Sequence, residues 1–174
     1  MTNQQRAWVG AAAMTLSEAG SWTGRTHLHK QLFITGALGL ADIPFEFELY
    51  HYGPYSFELD GVIAEMEAFG DLEKRYRQPG YGPSYEPTAF GKDAAAELSA
   101  REREIASTVA AKLACFDSSD LELIATCLYV EAIEEEREDA VIVQRVKEIK
   151  PKYSTSQIEY ALRRERQLRA ELHR

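Results

Sequence analysis

Only two cysteines, Cys115 and Cys127, occur in the chain, and neither belongs to a C-x-x-C pattern. A disulfide framework has no pattern to rest on, and both are expected as reduced thiols in the core of two predicted helices. Long apolar runs are missing too, since charge interrupts every candidate within a few residues, so no segment is expected to span a bilayer. The N-terminus lacks a basic region followed by an apolar run, which leaves the cytoplasm as the expected setting. Neither G-x-x-x-x-G-K-[ST] nor G-x-G-x-x-G occurs, so no loop is built to cradle phosphates. G-x-S-x-G is absent as well, and Ser56, after Pro54 and Tyr55, reads as a helix cap and not a nucleophile. No catalytic set and no cofactor motif emerge, and the expectation is a protein that is not an enzyme and uses no cofactor.

Histidine is scarce: His27, His29, His51 and the near-terminal His173. On a helix His27 and His29 would sit about 200° apart and could not share a metal. In an extended segment they would point the same way, and a small metal-dependent hydrolase using His27, His29 and His51 is the third reading.

Positive charge is also in deficit. A formal net charge of −8 argues against a protein that coats nucleic acid without specificity. The distribution is uneven. From Asp117 to Asp139 nine carboxylates stand against Arg137 alone, whereas from Arg145 to Arg174 nine Lys and Arg stand against four Glu. Two solvated helix faces that attract each other would explain this, and so would a basic terminal helix that contacts an acidic partner.

What is present suits one domain with a real core: 174 residues, 45% of them hydrophobic and 28% charged. The apolar spacing of Trp8, Val9, Ala12, Leu16 and Ala19 predicts a helix over 4–19, ended by Gly20. A second is expected over 26–38, with Arg25, His27, His29 and Lys30 crowding its first turns. Phe45, Phe47 and Leu49 alternate with Glu46, Glu48 and Tyr50, the period of a half-buried strand whose Glu46 and Glu48 face solvent. Gly53 and Pro54 are expected to break the chain. Ser56 then caps a helix whose buried face is Leu59, Val62, Ile63, Met66 and Phe69. Residues 72–87 read as a hairpin around Gly80, Tyr81, Gly82 and Pro83. Thr88 opens a short helix, and Ser99 with Glu102, Ser119 with Glu122 and Ser156 with Glu159 are candidate capping boxes for later ones. Pro151 ends the helix before the last. The fold class is therefore α+β and mostly α-helical, with a winged-helix-like N-terminal half over 1–98 and a helical half over 99–174.

Tyrosine is the strongest positive signal. Six of nine fall between residues 50 and 85: Tyr50, Tyr52, Tyr55, Tyr76, Tyr81 and Tyr85. A ring with a polar tip suits recognition surfaces, although such rings also fill cores. With His51, and with Lys74, Arg75 and Arg77 of the hairpin, these form the candidate partner-binding set: Tyr50, His51, Tyr52, Tyr55, Lys74, Arg75, Tyr76, Arg77 and Tyr81. Basic and aromatic residues on a ribbon could grip a nucleic-acid backbone or an acidic protein. A DNA-reading role for the third helix is disfavoured, because it carries Glu58, Asp60, Glu65 and Glu67 and no Lys or Arg.

The segments THLHKQLFI, FELYHYGPYSFELDGVIAEM, TAFGKDAAAEL, SSDLELIATCLYV and VKEIKPKYSTSQIEYAL, in this order over most of the chain, resemble the YwgA-like group of prokaryotic proteins. More distantly they are similar to the SocA-like or Panacea antitoxin domains. YHYGPYS is the most specific part. The resemblance implies a helical domain with a small sheet that acts in a regulatory, antitoxin or defence setting by binding another protein, and it supplies no catalytic residues. The acidic stretch from Glu131 to Asp139 departs from a generic member. A nucleic-acid-binding regulator using the 72–87 hairpin and the basic C-terminal helix is the alternative. Oligomeric state is open, since the apolar face of the last helix suits a core or a dimer seam.

Overall fold

The computed structural model describes residues 1–76, 80 and 82–174. Their order is α1 (Asn3–Glu18), α2 (Arg25–Ala37), β1 (Glu48–Tyr50), β2 (Gly53–Tyr55), α3 (Phe57–Ala68), β3 (Leu72–Arg75), β4 (Ser84–Pro87), α4 (Ala89–Ala96), α5 (Ala100–Leu113), α6 (Ser118–Ala132), α7 (Asp139–Ile149) and α8 (Thr155–Leu172). The fold is α+β and mostly helical, and its strands form two separate antiparallel pairs, β1 with β2 and β3 with β4.

α1 opens with a capping box, the Thr2 hydroxyl accepting from the Gln5 amide while the Gln5 side chain accepts from the Thr2 amide. Small residues let other elements approach it closely, and it is buried on nearly every side from Ala7 to Ala13. At Gly10 a Cβ would lie 2.6 Å from the Gly91 carbonyl oxygen of α4, so backbone meets backbone there. Arg6 ties the same helix to the start of β3 through a two-pronged bond to Asp71, at 2.6 and 2.7 Å.

α2 joins two apolar clusters. Leu28 and Leu32 pack with Trp8, Leu16, Leu59, Ile63 and Met66. Phe33, Ile34 and Leu38 pack with Leu121, Ile124, Leu128, Ile158 and Leu162 from α6 and α8. α5 likewise gives Ala106 and Ala110 to the first cluster and Val109 and Leu113 to the second. The acidic and basic segments do attract each other, in part as solvated faces, with Arg145 on Glu134 at 2.8 Å and Arg166 on Asp139 at 2.9 Å, and in part buried, with Arg169 reaching the buried Glu131 of α6 and Glu165 of α8 at 2.9 and 3.0 Å.

Several expectations are corrected. The strand expected over 45–50 begins only at Glu48, and Gly53 and Pro54 do not break the chain but form β2. Phe69 is not on the buried face of α3; it lies past the helix end, 71% exposed. α6 is capped by Asp117, which accepts from the Ser119 and Asp120 amides, and not by Ser119. α8 uses Ser154 with Gln157 in place of Ser156 with Glu159. Cys127 is buried, whereas Cys115 is exposed. The strands of the 72–87 hairpin form with Leu72 opposite Pro87 and Arg75 opposite Ser84. Arg77 and Tyr81 lie outside the described residues.

Candidate protein-interaction surface

The β1–β2 hairpin is the organising feature. Its register sets Glu48 opposite Tyr55, Leu49 opposite Pro54 and Tyr50 opposite Gly53, with His51 and Tyr52 at the turn. An antiparallel ladder alternates bonded and non-bonded pairs, and Pro54, which has no N–H, falls at a non-bonded pair. Its carbonyl then points away from β1, into the protein. There Lys30, only 1% exposed, donates to it at 2.7 Å. A second buried lysine, Lys150, donates to the His51 carbonyl and pairs with Glu122 at 2.9 Å. Lys152 at 3.2 Å and the Tyr153 hydroxyl at 3.0 Å complete the Glu122 environment.

Gly53 closes the arrangement from beneath. Its φ of +85° lies in the left-handed region, and a Cβ there would sit 2.9 Å from the Thr126 hydroxyl of α6. Burial, with Lys150 nearby, pushes the Lys30 ammonium down to about 7. Burial alone would raise the Glu122 carboxyl, yet Lys150, Lys152 and Tyr153 together hold it below the ordinary carboxylate range.

Above this floor the rings gather. Tyr55 stacks on the buried His29 at 4.3 Å and 8°. Tyr50 meets Tyr55 at 5.6 Å, Phe57 meets Tyr55 at 5.0 Å, and Tyr50 meets Phe57 at 5.3 Å, the last two edge to face. His51 lies 4.4 Å from Tyr50. Tyr50, Tyr52 and Phe57 are 45%, 65% and 56% exposed. Burial and the charge of Asp60 push the Tyr55 phenol up to about 12, so it stays protonated and neutral. His29 is fixed from both ring nitrogens, 2.8 Å from the Arg25 carbonyl and 3.1 Å from that of Ser56, and burial lowers its proton affinity.

The candidate set therefore divides. Tyr50, His51, Tyr52 and Tyr55 share the first hairpin. Lys74, Arg75 and Tyr76 sit on the second, and among the described residues no ring contact joins Tyr76 to the first group. The described basic residues of that hairpin are engaged: Lys74 faces Glu67 at 3.6 Å and Arg75 faces Glu73 at 2.7 Å. Tyr85 belongs to the core, fully buried, its hydroxyl accepting from Arg25 at 2.9 Å. His27 and His29 are both buried on α2, and among the described residues no group of three His, Cys, Asp or Glu could hold a metal ion. No helix among them is long and apolar enough to cross a membrane.

Two parts of the surface escaped the sequence reading. Phe57 has a readable signal, a large ring at the first position of α3 outside the stripe of Leu59, Val62, Ile63 and Met66. Lys30 and Lys150 have none, because nothing local distinguishes a lysine under a hairpin from one in solvent. Neither a family model nor a curated protein matches this chain.

Proposed function

We propose that this chain is a non-catalytic protein-interaction module of antitoxin or adaptor type, working in the cytoplasm, and that it meets its partner through the first hairpin. One observation carries the reading: Tyr50 and Phe57 stay open to solvent while in ring contact with each other and with the half-buried Tyr55, on a base held by two buried lysines. Rigid aromatic anchors lose little side-chain freedom on binding, which is what makes such residues dominate interfaces. The resemblance of YHYGPYS and its flanks to YwgA-like and Panacea-type sequences supports the same reading.

The alternative, a nucleic-acid-binding regulator of winged-helix form, has less to rest on. Lys74 and Arg75 lean on carboxylates, Arg166 and Arg169 are spent on Glu131 and Glu165, and the outer side of α3 carries exposed Glu58 and Glu65.

Tagged protein expressed in the native host should recover one stoichiometric protein partner. The Tyr50→Ala/Phe57→Ala variant should lose it, while Phe90→Ala, which removes an exposed ring elsewhere, should keep it. Recovery of no partner, or equal recovery by all three chains with unchanged thermal midpoints, would overturn the reading.

A further inference from the structure

The two edges of the first hairpin differ. The outer edge of β2 is closed, packed against α2 and α6 with the Pro54 carbonyl taken by Lys30. The outer edge of β1 is open. Because Leu49 faces Pro54 across a non-bonded pair, its own N–H and C=O point outward, and no backbone hydrogen bond from beyond the hairpin reaches them among the described residues. An open edge next to exposed rings is the usual platform for a partner that adds as a strand.

The side chains along this edge select the sign of that partner. Glu48 and Tyr50 alternate with Leu49 and share the outward face with Tyr55. Glu46 and Glu48 are exposed and have no ion-pair partner among the described residues. Glu58, beside Phe57, is exposed and among the described residues takes only a hydrogen bond from the Gln5 amide group at 2.6 Å. The nearby cations are already engaged: Arg25 with Asp60 and Tyr85, Lys152 with Glu122. Lys152 also shows the contact this surface makes, its ammonium 5.9 Å from the centre of the Tyr52 ring. No cation stands over Tyr50 or Phe57 among the described residues.

We infer that the β1 edge receives an extended, basic segment of a partner protein, pairing along the backbone at Leu49 and setting Arg or Lys side chains between Glu46, Glu48 and the rings of Tyr50 and Phe57. This rests on the protein-interaction reading above and adds the geometry and charge of the partner.

Three labelled six-residue peptides test it on the intact chain, alternating Val with Arg, with Thr or with Glu. By fluorescence anisotropy at 50 mM salt (~50 mM, a condition at which charge is weakly screened) the Arg peptide should bind about tenfold more tightly than the Glu peptide. Glu46→Lys/Glu48→Lys should abolish or invert that order. Amide exchange at Leu49 should slow on binding. Equal binding of the three peptides, or binding that leaves Leu49 exchange unchanged, would overturn the inference. With the partner itself in hand the two proposals separate. If Tyr50→Ala/Phe57→Ala loses it but Glu46→Lys/Glu48→Lys retains it, the interaction reading stands and the basic strand falls; if neither variant matters, both fall.

Discussion

The Lys30 ammonium donates to the Pro54 carbonyl oxygen at 2.7 Å, in a space closed to solvent beneath the first hairpin. Lys150 and Glu122 are the charged groups that act on it there. Its proton affinity falls from the ordinary 10.5 to about 7, so between those values the unfolded chain holds a proton that the native chain has released. Stability from this group therefore rises as pH increases through that window, by at most about 1.4 kcal/mol per pH unit. Urea unfolding at neutral and alkaline pH should show a shallower rise for Lys30→Met than for the natural chain; parallel curves would mean that Lys30 keeps its proton.

Among the described residues Glu122 is the only carboxylate that pairs with Lys150. Glu122→Gln would take the partner carboxylate from the buried Lys150 beneath the hairpin, and a loss of about 3–5 kcal/mol is expected. Adding Lys150→Met should restore part of it. Denaturant titration of the single and double variants measures both effects, and a loss under 1 kcal/mol (about the worth of an exposed pair) would show that the cluster is far wetter than its geometry.

Two glycines should respond in opposite directions to alanine. Gly10→Ala drives a Cβ against the Gly91 carbonyl, where α1 and α4 have no flexible atom to yield, and should cost about 1–3 kcal/mol. At Gly61, on the exposed side of α3, nothing lies within 4 Å of the new Cβ, and the same change should add about 0.5–1 kcal/mol through helix propensity. Thermal midpoints read the two signs directly.

Periodicity made most helices legible, because an apolar face recurring at helical spacing leaves little choice of element. Local chemistry did the same for the Ser56 cap and the Ser99 and Glu102 capping box. Two of the corrections share one cause, a local rule that tertiary register has to settle. Ser154 with Gln157 fits the same capping pattern as Ser156 with Glu159, and only the packing of Ile158 and Leu162 decides between them. Gly53 and Pro54 resemble a breaker until the ladder register shows that the missing N–H falls where none is needed. The tyrosine cluster was visible, but not which rings face outward: Tyr85 and Tyr50 look alike in sequence, and the Arg25 bond to Tyr85 is a contact across 60 residues.

The central position of α1 has a consequence for synthesis. α1, buried on nearly every side from Ala7 to Ala13, is made before the elements that enclose it, which extend as far along the chain as α5. At usual rates of translation it waits roughly 5–20 s for that cover. The nascent chain therefore carries α1 uncovered through that interval, and its yield in cells should depend on whatever shields this helix until α5 is made.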